Sequence, residues 1–304
     1  VLNRGFEFTV NTKNFVGEFK WETSLNMSFN HNEVVSIGGP EILNGVSLIR
    51  EGQPINSFYG YELGGIYQTL DEVFTGPVME NRAPDKASHN PYKNTSPGDM
   101  WFVDVDGNGE INDLDRTVIG NTNPKASGGF ALSGRVYGFD LSANFTYSIG
   151  NDVYNANKIE YTSSYQYYYR NMIDIMAEGK RWTNLDANGN LVNDPAQLAA
   201  LNANTTMWSP YTSYVLTDWA VEDGSFLRLS TLTVGYTLPQ SLTRKVGINN
   251  LRFYATCYNV FCLTGYSGFD PEVSTRNKTA LTPGVDYSAY PKSRQFVIGL
   301  NLNF

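Results

Sequence analysis

Charge is sparse in this chain. Only 17% of its 304 residues are Asp, Glu, Lys or Arg, where a water-soluble domain carries about 25%, so its polarity comes mainly from Asn, Ser, Thr, Gly and Tyr. Histidine is rarer still: His31 and His89 are the only two, both in polar stretches without zinc-type spacing. No serine sits in a GxSxG elbow, and carboxylate neighbours such as Glu222 and Asp223 point apart in a strand. These absences leave an enzymatic reading without footing. The two cysteines, Cys257 and Cys262, are an odd number of positions apart, so within one strand they face opposite sides and do not bridge. No run approaches the ~20 apolar residues of a membrane helix, which excludes helical spans but not membrane-crossing strands. The net charge of -8 leaves no basic patch to displace counterions from phosphate, and nucleic acid is excluded as a partner.

What the chain does have is alternation. Phe296, Ile298, Leu300, Leu302 and Phe304 share one face of a strand, while Gln295, Val297, Gly299, Asn301 and Asn303 share the other. The same two-residue period recurs in Phe139, Leu141, Ala143, Phe145, Tyr147 and Ile149 against Asp140, Ser142, Asn144, Thr146 and Ser148. It recurs again around Phe6 to Val10, Trp21 to Asn30, Leu232 to Leu238 and Leu251 to Cys257. Tyr137-Gly138 reads as a two-residue hairpin turn. One apolar face and one face of small polar residues, repeated many times, suit a wall with lipid on one side and a wet lumen on the other. The expected fold class is therefore all-β: a transmembrane antiparallel β-barrel.

Strands are expected at about 3–11, 18–30, 45–51, 55–68, 126–136, 139–149, 225–238, 250–261 and 294–304, roughly nine in all. Links near 12–18, 52–55, 137–139 and 239–250 are short. Stretches 30–44, 70–125, 150–222 and 262–293 are long, and long connections in outer-membrane barrels are extracellular. An odd strand count cannot close an up-and-down barrel, so residues 1–304 read as the C-terminal portion of a larger one. No leader is legible at Val1, as expected of an exported barrel whose N-terminal portion has been removed or lies outside this chain.

One motif carries chemistry. Asp104-Val105-Asp106-Gly107-Asn108-Gly109-Glu110-Ile111-Asn112-Asp113-Leu114-Asp115 fits a twelve-residue calcium loop. Asp104, Asp106 and Asn108 stand at positions 1, 3 and 5, and Gly109 at the sharp turn. Glu110 offers its carbonyl, and Asp115 closes the site in place of the usual Glu. A structural Ca2+ is expected to stiffen the 70–125 connection. A poorer echo at Asn184, Asp186, Asn188 and Gly189 has Pro195 at its closing position and reads as an Asn-Gly turn.

Several strings, in this order, resemble the C-terminal part of SusC/RagA-type TonB-dependent outer-membrane transporters of Bacteroidetes. They are NRGFEFTVNTKNF (3–15), SFNHNEV (28–34), GQPINSFYGYELGGIYQ (52–68), GDMWFVDVDGNGEINDLDRTVIG (98–120), VEDGSFLRLSTLTVGYTLP (221–239), GFDPEV (268–273) and YPKSRQFVIGLNLNF (290–304). The resemblance implies a barrel of roughly 22 strands closed by an N-terminal plug that is absent from this chain. It also implies the outer membrane of a Gram-negative cell and a SusD-like surface lipoprotein as partner. Energy would come from the TonB-ExbB-ExbD complex acting on the missing N-terminal part, and the cargo would be an oligosaccharide or a peptide. The alternative is a passive porin or an adhesin barrel, which has no need of the 52–68 and 98–120 strings. In the 150–222 connection, Tyr165, Tyr167, Tyr168, Trp182, Trp208 and Tyr211 are candidates for contact with substrate or partner lipoprotein. The plainer reading is that these aromatics pack the loop against the partner lipoprotein or belong to the interfacial aromatic girdle.

Overall fold

The fold was obtained as a computed structural model, which describes residues 1–79, 95–164, 170–212, 215–273 and 282–304. Seven long strands form one antiparallel sheet in chain order. They are β1 (Leu2–Val16), β2 (Lys20–Glu33), β3 (Ala126–Val136), β4 (Phe139–Ile149), β5 (Phe226–Thr237), β6 (Asn250–Thr264) and β7 (Gln295–Asn303). Each pairs with its sequence neighbour, so every connection returns the chain to the adjacent position. Among the described residues no strand pairs with the outer edge of β1 or of β7.

The β3–β4 turn shows why this sequence folds as a tight hairpin. Val136 pairs with Phe139, and Tyr137 and Gly138 between them have φ of 47° and +84°. Two left-handed residues in succession match the twist of the flanking strands. A Cβ on Gly138 would lie 2.6 Å from the Thr237 carbonyl oxygen. Gly138→Ala is therefore expected to cost ~1–3 kcal/mol, read as a lower denaturant midpoint of the folded protein.

The other connections alternate in length. Residues 17–19, 137–138 and 238–249 are the short ones, whereas 34–125, 150–225 and 265–294 are long. Antiparallel order puts all the long ones at one end of the sheet. Residues 45–51 and 55–68, expected as wall strands, lie elsewhere. Ser47–Ile49 and Ser57–Gly60 join Ile42–Asn44 and Thr117–Asn121 in a separate four-stranded sheet, and Leu63–Ile66 pairs with Met100–Phe102. All four residues of Ser57–Gly60 are buried, so this segment is sheathed on both sides and cannot face lipid. The link at 52–55 is accordingly a turn within the first long connection.

The long connections build the folded core. One cluster gathers Tyr61, Met100, Phe102, Ile111, Met176, Met207, Trp208 and Val215. A second gathers Val46, Phe58, Tyr154, Ala156, Ile159, Ala220 and Val285. Asp152–Asn155 pairs with Val221–Asp223 on one side and with Val285–Asp286 on the other, which ties together the second and third long connections. Buried apolar side chains thus concentrate in a cap of loops, while the wall keeps much of its apolar surface exposed.

Candidate functional site

The wall's two faces follow from register. Directly opposed residues on antiparallel strands share a face. Val10, Leu25, Phe130, Phe145, Leu229 and Phe261 form one unbroken row from β1 to β6. Further along, Leu141, Val234, Ala255 and Ile298 continue the same face to β7. Phe130 and Phe145 stack with ring centroids 4.3 Å apart. Elsewhere this face is open: Ile298 is 86% and Phe296 75% exposed. Phe145, Leu232 and Leu300 do not meet in a dry centre, since Leu300 is 56% exposed and the other two are half-buried. The 11 residues of β4, at about 3.4 Å each and tilted ~45°, span ~26 Å, close to the ~25 Å apolar band of outer-membrane barrels. Aromatic side chains gather at the short-turn end: Phe15 and Phe19 lie 5.5 Å apart, Phe19 and Trp21 6.2 Å, and Phe139 and Tyr236 4.5 Å. Such rings suit the level of lipid headgroups.

The opposite face carries small polar groups. Asn26, Gly129 and Thr146 lie in one cross-strand row, and Ser133, Ser142, Thr233 and Thr256 in another. The Thr233 and Thr256 hydroxyls are 2.9 Å apart. Cys257 pairs with Leu232 on the apolar face and Cys262 with Arg228 on the polar face, and both thiols are free. The expected opposition of the two cysteines holds.

A bulge interrupts this pattern at the cap end. Ser230 has no partner in either neighbouring ladder, and opposite it Asn259 adopts φ 51°. Bulges re-aim side chains, and here Arg228 and Asn259 converge. The Arg228 guanidinium donates to Asn259 Oδ1 at 2.6 Å and to both Asp270 oxygens at 2.7 and 2.9 Å. Its Nε stands 2.9 Å from Glu272, which also holds Lys292 at 2.6 Å. Arg228 and Asp270 side chains are each 6% exposed. The GFDPEV string is thereby clamped to the wall. Sequence reading missed this cluster, because Arg228 and Asp270 are 42 positions apart. Its one legible signal was a lone Arg on the polar face of a strand.

The acidic loop sits against the first core cluster. The carboxylate oxygens of Asp104, Asp106 and Asp115 lie within 4.8 Å of one another. Asp104 accepts from the amides of Gly107 and Gly109, each at 2.7 Å, and of Asn108 at 3.2 Å. Chiefly through the Gly109 bond, these hold its carboxyl below the ordinary carboxylate range. Gly107 and Gly109 have φ of +74° and +87°, the left-handed conformations that a tight loop needs. Asn108 Oδ1 accepts from the Glu110 amide at 2.7 Å. Asp115, fully buried, accepts from Val105 and Asn112, each at 2.8 Å, and closes the loop on itself. Ile111 is buried, and Glu110–Ile111 pairs with Val78–Met79. The hard oxygen donors of Asp104, Asp106 and Asp115, with Asn108 in the same turn, fit the chemistry of Ca2+. Asp186 makes only local turn contacts, accepting from the Asn188 and Asn190 amides at 2.8 Å each. That arrangement is an Asn-Gly turn.

The candidate contact aromatics divide by burial. Trp182 and Trp208 are buried. The Trp182 ring covers Gly98, where a Cβ would come within 2.4 Å of it, and Trp208 meets Trp219 edge-on at 4.7 Å. Both rings therefore pack the cap, while Tyr211 is 61% exposed. Tyr165, Tyr167 and Tyr168 lie outside the described residues, as does His89.

A sheet of long antiparallel strands, apolar on one face and polar on the other, with its loops gathered at one end, defines the class of wall from which membrane β-barrels are made. No family model matches the chain. It is 32% identical over 319 residues to the TonB-dependent receptor P3 of Formosa agariphila, covering 99% of this chain and 28% of that protein. It is 28% identical over 320 residues to the TonB-dependent receptor SusC of Bacteroides thetaiotaomicron, covering 99% and 26% respectively. The RagAB peptide transporter structure superimposes with a TM-score of 0.72 at 23% identity, over 99% of this chain and 29% of that one. The chain thus spans less than a third of the relatives it matches. Along its whole length it is similar to TonB-dependent receptors, SusC among them.

Proposed function

We propose that this chain is part of the wall and surface cap of a TonB-dependent importer in the outer membrane. The observation that carries the reading is the split of apolar surface: an exposed, continuous apolar face on the strands and a buried apolar core in the loops. In hydrocarbon, each exposed Phe or Ile of that face would gain about 1.5–3 kcal/mol on leaving water. The polar face lines a wet bore, which the remainder of the polypeptide closes as barrel and plug. A SusD-like lipoprotein covers the loop cap, and TonB-ExbB-ExbD drives uptake of an oligosaccharide or peptide. The RagAB likeness favours a peptide as cargo. In cells carrying the full-length protein, accumulation of labelled cargo should stop when TonB is deleted or the proton gradient collapses. Uptake that persists under both conditions would show a passive pore.

The loop at Asp104–Asp115 is proposed to hold a structural Ca2+, with Asp104, Asp106, Asn108, the Glu110 carbonyl and Asp115 as donors. Its place beside Ile111 and the first core cluster makes it a staple for the cap. The full-length protein carrying Asp104→Ala and Asp106→Ala is expected to lose bound calcium by elemental analysis and to be cut faster by protease within residues 95–120. Unchanged calcium content would refute the assignment. Because the Asp104 carboxyl is held low, its contribution to loop order is present above the ordinary carboxylate pKa of ~4 and is lost as pH falls through its depressed value.

A further inference from the structure

Three long connections meet at one carboxylate in the cap. Asp152–Asn155 pairs with Val221–Asp223 of the same connection and, through Tyr154 and Asn155, with Val285–Asp286 of the third. Asp152 Oδ2 also accepts the Asn121 amide of the first connection at 2.7 Å. The junction is tight: a Cβ on Gly120 would lie 3.1 Å from Asp152 Oδ2, and one on Gly284 3.3 Å from the Asp152 carbonyl oxygen. Yet the residue directly opposite Asp152 in the ladder is Asp223, and like charges so placed repel. Asp152 is half-buried, while Asp223 is exposed and accepts the Ser225 amide at 2.9 Å. Among the described residues neither has an ion-pair partner. Lys125 is the nearby cation, its Cδ 2.8 Å from where a Cβ on Gly150 would stand and its ammonium beyond ion-pair distance of both acids. Glu222, next to Asp223, points to the other side of the ribbon, where Lys158 holds it at 3.3 Å and the Ser267 amide and hydroxyl at 2.8 Å each.

We propose that the pair of Asp152 and Asp223 is an acid-sensitive latch of the cap: a proton taken up by Asp152 removes the repulsion across the ladder and tightens the junction of the three connections. Burial lifts the Asp152 carboxyl above the ordinary aspartate range; the Asn121 amide opposes that shift, Asp223 adds to it and Lys125 reduces it. A folded-state pKa above the unfolded one contributes stability that is fully present below the ordinary aspartate value of ~4 and is lost as pH rises through the raised value. Acid therefore firms this junction, whereas it loosens the loop at Asp104, whose carboxyl is held low. Two carboxylates in one cap thus answer to pH in opposite senses. The latch needs only contacts among the loops and stands apart from the barrel reading.

The test is amide hydrogen exchange of the intact full-length protein, with protection corrected for the intrinsic pH dependence of exchange. The reporters are the Tyr154 amide, which donates to the Gly284 carbonyl at 2.9 Å, and the Gly224 amide, which donates to that of Asn151 at 2.8 Å. Their protection should rise about two- to fivefold as pH falls from ~7 to ~4, while amides of β3 and β4 keep theirs. Asp152→Asn should show the acid level of protection at both pH values. Asp223→Asn, at an exposed position, should raise protection at neutral pH and shrink the pH dependence. Reporter protection that does not change with pH in the unmodified protein, or a rise shared equally by β3 and β4, would overturn the latch. So would a full pH dependence retained in Asp152→Asn, or a loss of protection in that variant at neutral pH, which would show that the carboxylate holds Asn121 more than it repels Asp223. Should Asp152→Asn not fold, Asp223→Asn decides alone, and behaviour there equal to the unmodified protein overturns the proposal.

Discussion

Arg228→Met is expected to destabilise the folded protein by ~3–5 kcal/mol and to free the 265–273 segment from the wall. Methionine keeps the apolar bulk of the side chain but strips both oxygens of the buried Asp270 of their guanidinium donors, leaving only the Lys292 ammonium at 3.7 Å as counter-charge. Arg228→Lys should recover only part of the loss, because a single ammonium cannot reproduce the fork that reaches Asp270, Asn259 and Glu272 together. The double change Arg228→Met with Asp270→Leu removes both charges and should lie well above the Arg228 single variant. Glu272→Gln should cost far less, about 0–1 kcal/mol, since Glu272 and Lys292 side chains are 38% and 44% exposed. Denaturant midpoints of the four variants, with protease cleavage rates around residue 270, measure this. Equal losses for Arg228→Met and Glu272→Gln would show that the cluster is a surface contact rather than a clamp.

The second large effect is expected at mid-wall. Leu232 sits on the apolar face between Ala143 and Cys257, and Leu232→Arg should cost ~2–4 kcal/mol of insertion free energy. Thr233, the next residue, lies on the polar face between Ser142 and Thr256. Its change to Arg places charge in water and should stay within about 0.5 kcal/mol. The cost on the apolar face should also fall with depth: Phe139→Arg, at the short-turn rim, should lose only ~0–1 kcal/mol. Folding yield into lipid vesicles across the three variants measures this. A depth-independent penalty would indicate a protein neighbour on that face instead of a bilayer.

Much of the wall was legible because a two-residue period is enforced wherever the two faces meet different media. The expected 126–136 and 139–149 coincide with β3 and β4, and the Tyr137-Gly138 turn fixes their register. β1 and β6 run further than the pattern suggested, to Val16 and Thr264. Irregularities between Lys13 and Phe15 and around Ser230 shift the period midway, so the simple alternation stops where the strand does not. The segments 45–51 and 55–68 misled for the opposite reason. Short apolar alternation looks the same whether one side faces lipid or both are sheathed by other loops, and only packing tells these apart. Packing likewise decided Trp182 and Trp208, whose burial in the cap no spacing foretold. The turn geometry of the acidic loop was readable because the hydrogen bonds that Asp104 and Asp115 accept all lie within the twelve positions of the motif. The Arg228 clamp was not, because it joins a strand to a loop through a bulge.

The central claim is that the apolar face of this sheet meets lipid and the polar face meets water. Single nitroxide labels stepped from position 140 to 148 along β4, in the full-length protein in liposomes, test it most directly through collisions with oxygen and with a water-soluble nickel complex. Labels at 141, 143, 145 and 147 should favour oxygen and those at 140, 142, 144 and 146 nickel, a contrast alternating with every residue. Odd-numbered positions shielded from both reagents would mean that this face is packed against protein, and the account would be contradicted.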